Sequence, residues 1–151
     1  DSILLKPGKL DAQEWAVMQQ HVVIGENIID RIQHEMGQGT GLAGQVMRNI
    51  VAGHHERGDG SGYPRGLKMA EIPLEARIVA VADVYDALSN RRAYKAAWSE
   101  AHINEELQRE VAAGRLDAEC VQALLQAHEA RVDIQLRFQD EAAPGAALTS
   151  T

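Results

Sequence analysis

Three histidines hold positions typical of metal ligands. His21 falls on the apolar stripe of the first helix that the periodicity predicts, and His54 and His55 end the two apolar stripes of the second. Imidazole is the commonest protein ligand for metal ions. Because adjacent helical residues diverge by about 100°, the pair suits two neighbouring ions, or one ion at a helix end, better than a single tetrahedral zinc. The alternatives are a hydrogen-bonded core histidine at position 21 and, for the pair, a polar helix terminus with cationic imidazoles near the C-terminal dipole.

Two carboxylates stand one helical turn apart within the most apolar helix of the chain, at Asp83 and Asp86. We expect both to be buried, and a buried carboxylate without a partner costs several kcal/mol. No lysine or arginine stands between Arg77 and Arg91, so metal coordination by at least one carboxylate is the simplest explanation. A salt bridge to a distant basic residue is the alternative. Imidazole and carboxylate together suit iron, manganese or zinc, and suit calcium poorly.

A glycine-rich loop over residues 56–74 follows the histidine pair. Its glycines and prolines are too frequent for a helix, and a loop of this length within a domain is usually functional. It lacks the Gly-Lys-Ser/Thr ending of a Walker loop and the preceding strand of a dinucleotide-binding fingerprint. At its centre, Gly62, Tyr63 and Pro64 predict a rigid turn that exposes one aromatic ring.

A short basic segment follows the acidic pair and contains Arg91, Arg92 and Lys95. These cations could hold a phosphate as it approaches a metal site, while a solvated run of charge is the alternative. Over 151 residues the formal net charge is −7, yet residues 56–98 carry 7 basic and 6 acidic side chains. The acidic chain, with 4% aromatic residues, therefore predicts no DNA or RNA partner but permits a small anionic ligand in its middle segment.

Helical periodicity predicts the elements that must position these residues, because apolar residues recur at spacings of three and four and strand-like alternation is nearly absent. Helices are expected over about 11–33, 42–55, 75–88, 99–113 and from 117, with N-caps at Asp11, Ser99 and Asp117. The core-facing series of the first helix is expected to be Trp15, Met18, Gly25, Ile28 and Ile32. The predicted fold class is all-α, a helical bundle, with a frayed tail after about residue 140.

The remaining composition bears on where such a protein works. No apolar run approaches the ~20 residues of a membrane span and no secretory signal opens the chain, so a cytoplasmic protein that does not enter a membrane through this segment is expected. The single cysteine, Cys120, is interpreted as a packing residue on a helix. The chain opens at Asp1 rather than Met, which suggests a piece of a longer polypeptide.

Taken together, the motifs resemble the HD-GYP family of cyclic di-GMP phosphodiesterases. The resemblance covers about residues 3–125, and several motifs agree with the family in order and spacing. Those motifs are LKPGKL at 5–10, MQQH at 18–21, HHERGDGSGYP at 54–64, GLK at 66–68, IPL at 72–74 and DVYDAL at 83–88.

The resemblance implies an HD-superfamily helical bundle that holds two or three iron or manganese ions and hydrolyses the bacterial messenger cyclic di-GMP to linear pGpG and GMP. It also implies a fused receiver or sensory domain, as in a two-component system, or a diguanylate cyclase as partner. The metal ligands that it implies are His21, His54, His55 and Asp83. It implies that Asp86 orients a neighbouring lysine and that Arg92 and Lys95 hold substrate phosphate. The residues that it places at the border of the pocket are Gly62, Tyr63 and Pro64.

One departure from the family concerns its eponymous adjacent His-Asp pair and the lysine that follows it. Both would stand upstream of the first residue, so the fragment alone is expected to be inactive, with an HD-GYP domain over 1–128 and a C-terminal extension over 129–151. Two other functions stay open. One is a degenerate regulatory module that binds cyclic di-GMP or a partner protein without hydrolysing anything, and the other is a different HD-type nucleotide phosphohydrolase.

Overall fold

Six α-helices make up most of the residues that the computed structural model describes, which are 3, 6, 8–35, 41–89 and 98–137. In chain order they are α1 (Ala12–Glu35), α2 (Gly41–Gly53), α3 (Leu74–Ser89), α4 (Glu100–Ala112), α5 (Ala118–Gln126) and α6 (His128–Arg137). Within the described ranges, extended pairing is limited to one isolated bridge between Asp59 and Lys68. The predicted all-α fold class is confirmed, and the predicted bounds of the first four helices agree with the observed ones to within two residues.

Side-chain caps begin α1, α4 and α5 at the residues that the sequence predicts. Asp11 Oδ1 accepts the N–H of Glu14 at 2.9 Å, and Glu14 Oε2 accepts the N–H of Asp11 at 2.9 Å. This reciprocal pair is a capping box, which satisfies donors that the first helical turn leaves without partners. Ser99 and Asp117 accept a backbone N–H at the starts of α4 and α5 in the same manner.

The helices pack largely in chain order. α1 packs on α2, α2 on α3, α3 on both α4 and α5, which also pack on each other, and α6 packs on α5. Two glycines allow the first three helices to approach closely, since a Cβ at Gly25 would lie 2.7 Å from Val51 Cγ1 and one at Gly53 would lie 3.0 Å from Ala76 Cβ. The middle of α1 and the end of α2 are thereby held side by side.

The main hydrophobic cluster lies in the second half of the described chain, between α3, α4 and α5. Its buried members are Ala80, Val81, Tyr85, Ile103, Leu107, Leu116 and Val121. Cys120 packs against this cluster, which agrees with its interpretation as a packing residue, and burial raises the pKa of its thiol.

The expected core face of α1 is wrong in part. Trp15, Ile28 and Ile32 are 47%, 52% and 43% exposed, and the buried residues of this helix are Val22 and Glu26. The reason is that, among the described helices, α1 has a single neighbour, α2, so only one narrow stripe of it is covered. Periodicity finds the apolar residues of a helix but does not say how many neighbours cover them.

The last helix, α6, joins the bundle through a buried arginine. Arg131 is 6% exposed, donates from Nη1 to Glu100 Oε2 at 3.0 Å, and holds its guanidinium 5.0 Å from the centre of the Tyr85 ring. The first part of the predicted extension therefore contains a helix attached to α3 and α4, and the division of the chain near residue 128 stays a prediction. The tail after about 140 lies outside the described residues. No described helix combines the length and the apolar character that a membrane crossing requires.

Candidate metal centre

Three imidazoles from two parts of the chain converge at one point. His21 comes from α1, and His54 and His55 form the turn that directly follows α2. One nitrogen of each ring lies within 4.8 Å of the other two, a grouping that could hold a metal ion. The ring centres of His21 and His55 are 5.0 Å apart, and those of His54 and His55 are 4.0 Å apart. The close approach of α1 and α2 at Gly25 is what brings the rings together.

Backbone carbonyls fix which nitrogen of two of the rings is free. His21 Nδ1 lies 2.6 Å from the carbonyl oxygen of Met18, and His54 Nδ1 lies 2.9 Å from that of Ile50. A carbonyl oxygen only accepts hydrogen bonds, so each Nδ1 carries a hydrogen, and in the neutral ring Nε2 is then the nitrogen with a lone pair. A carbonyl that accepts from the second ring nitrogen is the usual support of a metal-binding histidine.

The spacing of two Nε2 atoms, which are in hydrogen-bond contact with each other, fits a metal ion. His21 Nε2 and His55 Nε2 lie 3.1 Å apart. Two nitrogens bound to one ion at about 2.0–2.1 Å each can be separated by at most about 4.2 Å, so both can reach the same ion. Imidazole is a donor that suits iron and zinc, whereas manganese prefers the oxygen of a carboxylate or of water.

The electrostatics of His55 favour the uncharged ring. Burial, followed by the neighbouring imidazoles of His54 and His21, lowers the pKa of His55 to about 4, while the charge of Asp83 acts in the opposite direction. At neutral pH this imidazole is therefore neutral, the form in which histidine binds metal ions.

His21 does not face the interior as its place on the apolar stripe suggested. The residue is exposed, because the described part of the chain covers only one side of α1. Its ring points instead towards the histidine pair. The alternative of a hydrogen-bonded core histidine at this position is therefore wrong.

The expected burial of the two carboxylates is also wrong. Asp83 and Asp86 are exposed, whereas Ala76, Ala80 and Tyr85 of the same helix are buried. Asp83 lies outside the histidine group, although its charge acts on His55. The argument for metal binding from the cost of burial fails for both, and their roles as ligand and orienting residue rest on the family resemblance.

A buried carboxylate that the sequence analysis passed over holds the glycine-rich loop. Glu56 is 1% exposed, and its two oxygens accept the N–H of Arg65 at 2.7 Å and the N–H of Leu67 at 2.9 Å. The position of Glu56 in the sequence could have indicated this role, because it directly follows the histidine pair and precedes a loop whose backbone N–H groups need acceptors. Glu56 thus ties the far side of the loop to the histidines.

The turn at the centre of the loop lies against the histidines. Tyr63 stacks on His55 with ring centres 4.8 Å apart and an angle of 27° between the planes, and its N–H donates to the His55 carbonyl at 3.2 Å. Burial raises the pKa of the Tyr63 hydroxyl. Gly62 permits this path, because a Cβ there would lie 2.2 Å from Arg57 N. Pro64 follows in an exposed position, and the turn stays a predicted border of the pocket.

A second connection that the sequence did not indicate joins the loop to α1. Arg65 Nη2 donates to Glu26 Oε1, and Arg65 Nη1 donates to the Ala52 carbonyl at 3.3 Å. Glu26 is buried on α1 and also lies 3.8 Å from Arg48 of α2. The loop is therefore fixed to both helices that supply the histidines. Arg92 and Lys95, the predicted phosphate ligands, lie outside the described residues.

Comparison with known proteins assigns the family. A family model described as an HD domain matches residues 1–120. The chain belongs to the HD domain family. This HD domain is 51% identical over 107 residues, 71% of the chain, to a 3'3'-cGAMP-specific phosphodiesterase 2 of Vibrio cholerae, and covers 19% of that protein. It is 49% identical over 126 residues, 83% of the chain, to a cyclic di-GMP phosphodiesterase response regulator of Xanthomonas campestris, and covers 31% of it.

A third relative extends the match along almost the whole chain. It is a cyclic di-GMP phosphodiesterase of Thermotoga maritima, 42% identical over 144 residues, which are 93% of the chain and 36% of the relative. These relatives confirm the HD-GYP resemblance that the motifs indicate. The chain spans between 19% and 36% of the lengths of the three relatives.

Proposed function

We propose that this HD domain belongs to a metal-dependent phosphodiesterase that hydrolyses cyclic di-GMP to linear pGpG and GMP. The observation that carries the proposal is the convergence of three imidazoles, with the Nε2 atoms of His21 and His55 3.1 Å apart. We infer that His21, His54 and His55 hold two or three iron or manganese ions, with Asp83 as a further ligand. Divalent ions bound there would supply positive charge to a phosphodiester and lower the pKa of water.

The protein's own groups would prepare the site. The Met18 and Ile50 carbonyls hold the rings of His21 and His54 so that each Nε2 points away from its own helix backbone. Tyr63 covers one face of His55 and restricts the access of water to that ring. Asp86 would orient a lysine, and Arg92 and Lys95 would hold the phosphates of the substrate through charge-assisted hydrogen bonds.

The substrate has a second candidate, 3'3'-cGAMP. The relative with 51% identity carries that specificity in its name, whereas those with 49% and 42% identity are cyclic di-GMP phosphodiesterases. The two messengers share both phosphodiester links and differ in one base, so a metal centre alone does not separate them. The base-binding part of the site must do so.

The setting of the activity follows from the substrate class. A bacterial second messenger is degraded where it signals, so we place the enzyme in the cytoplasm. The relative named a response regulator favours a fused receiver domain within a two-component system as the controlling partner, and a diguanylate cyclase is a second candidate partner.

Hydrolysis by the longest natural form of the protein, loaded with manganese or iron, tests the proposal. Products from cyclic di-GMP, 3'3'-cGAMP and a set of nucleoside monophosphates and triphosphates are separated by chromatography. We expect turnover of at least one cyclic dinucleotide and none of the mononucleotides. His55→Ala should lower kcat by about 100-fold or more, because losing even an outer-shell partner of a metal costs 10–100-fold.

His34→Ala is the matched control, since His34 is an exposed histidine in the last turn of the same helix as His21. Its turnover should equal that of the wild type. Binding of a cyclic dinucleotide without turnover would replace the proposal by the regulatory module. Turnover of mononucleotides alone would replace it by another HD-type phosphohydrolase.

A further inference from the structure

A tryptophan that the sequence places in the core lies at the edge of the candidate site. Trp15 is 47% exposed on α1 and meets Tyr63 with ring centres 5.8 Å apart at an angle of 77°. Tyr63 in turn stacks on His55 at 4.8 Å and lies 6.4 Å from the ring of His21. Trp15 is therefore two ring contacts away from the group of nitrogens that we assign to the metal ions.

Trp15 has a fixed backbone and an indole ring that is not covered. Its backbone N–H donates to the Asp11 carbonyl at 2.8 Å, directly behind the capping box that begins α1. An edge-to-face contact uses at most one face of the indole, so Tyr63 leaves at least one face open. Nearly half of the residue remains accessible in the described part of the chain. A large aromatic ring on a fixed backbone with one open face is the geometry of a stacking platform.

The position of this platform fits a nucleotide. In a nucleotide the base is separated from its phosphate by one sugar, so a base can extend from a phosphodiester at the histidines past Tyr63 to Trp15. The chain contains only 2 tryptophans, 3 tyrosines and 1 phenylalanine, and two of these six rings meet here. A planar purine gains from contact with the face of an aromatic ring whichever purine it is.

We propose that Trp15 is a base-stacking residue that binds one purine of the cyclic dinucleotide. This inference rests on the proposed function and adds a binding residue outside the metal ligands and the central turn of the loop. Because stacking tolerates any purine, Trp15 should contribute equally to cyclic di-GMP and to 3'3'-cGAMP.

Calorimetry tests the inference by measuring how tightly the longest natural form of the protein binds each cyclic dinucleotide. Hydrolysis during the titration is kept slow by low temperature or by a metal ion that supports little turnover. Trp15→Ala should weaken the binding of each by about 5- to 140-fold, the range that one stacked base contributes, while metal content stays at the wild-type value. Trp15→Phe should restore most of the affinity, because a smaller ring still offers a face. The control is Ile32→Ala, because Ile32 is exposed at the far end of α1. This variant should bind both cyclic dinucleotides as tightly as the wild type does.

A fluorescence readout separates stacking from a structural role. A base stacked on an indole quenches its emission, so ligand should quench the wild type and leave Trp15→Phe unquenched, since Trp98 packs against the hydrophobic cluster. Unchanged affinity in Trp15→Ala, or equal quenching in Trp15→Phe, would overturn the inference while leaving the proposed function intact. If the wild type bound neither cyclic dinucleotide, that result alone would refute the proposed function, and the role of Trp15 would be refuted with it.

Discussion

Replacement of Glu56 by glutamine removes one oxygen from the buried carboxylate that holds the glycine-rich loop. In the wild type one oxygen accepts the N–H of Arg65 at 2.7 Å and the other accepts the N–H of Leu67 at 2.9 Å. Glutamine has nearly the same volume but a single acceptor oxygen. Whichever way its amide is turned, one buried backbone N–H faces an NH₂ group.

The cost follows from these two bonds. A hydrogen bond to a charged group contributes about 1.5–3 kcal/mol, and a buried donor left without an acceptor costs about 1–3 kcal/mol. We therefore expect Glu56→Gln to lower the free energy of unfolding by about 2–4 kcal/mol, since Glu56 is 1% exposed and water does not replace the lost acceptor. That is a large part of the 5–15 kcal/mol typical of a domain.

Urea unfolding monitored by circular dichroism measures the change, with an unaltered m-value as the sign that only stability has shifted. Glu71→Gln is the control, because Glu71 is exposed and accepts one N–H, from Lys68 at 2.8 Å, which glutamine can still accept. The control should stay within about 0.5 kcal/mol of the wild type. A Glu56→Gln variant equally close to the wild type would refute the role of the carboxylate as the anchor of the loop.

Two further changes test the close approach of the loop at Gly62 and the ion pair that Asp117 makes at the start of α5. Gly62→Ala places a Cβ 2.2 Å from Arg57 N, so it should destabilise the protein by about 1–3 kcal/mol and disturb Tyr63; an unchanged melting temperature would contradict the close approach. Burial raises the pKa of Asp117, but hydrogen bonds from the Cys120 N–H and from Arg77 outweigh it and hold the pKa below its ordinary value. The stability that depends on this carboxylate is complete above about pH 5 and is lost as the pH falls through the lowered pKa. The stability difference between the wild type and Asp117→Asn should therefore narrow in urea titrations from pH 5 to pH 3, and a constant difference would contradict the ion pair.

The helices could be predicted from the sequence because their signals are local. A capping box such as that of Asp11 and Glu14 spans only one turn, and apolar spacings of three and four repeat within each helix. The three histidines could be proposed because their residue type already limits the chemistry. Their convergence needed the structure, since it depends on the close contact between Gly25 and Val51.

The errors have one physical origin, which is that a single sequence does not reveal the neighbours of a helix. Trp15 and Asp83 both stand in apolar surroundings along the chain, yet both are exposed, Trp15 on a helix with one neighbouring helix and Asp83 on a helix with three. The supports of the loop were missed for a related reason. The bond between Glu26 and Arg65 joins residues 39 positions apart, and no local pattern marks such a pair.

The metal content of His55→Ala tests the central claim, the binding of metal ions by the three imidazoles, most directly. The longest natural form of the protein is loaded with iron or manganese, freed of unbound metal, and analysed by mass spectrometry beside His34→Ala. Loss of a ligand whose Nε2 lies 3.1 Å from that of His21 should lower the bound metal per protein, while His34→Ala should retain the wild-type ratio. Equal metal content in all three proteins would contradict the account.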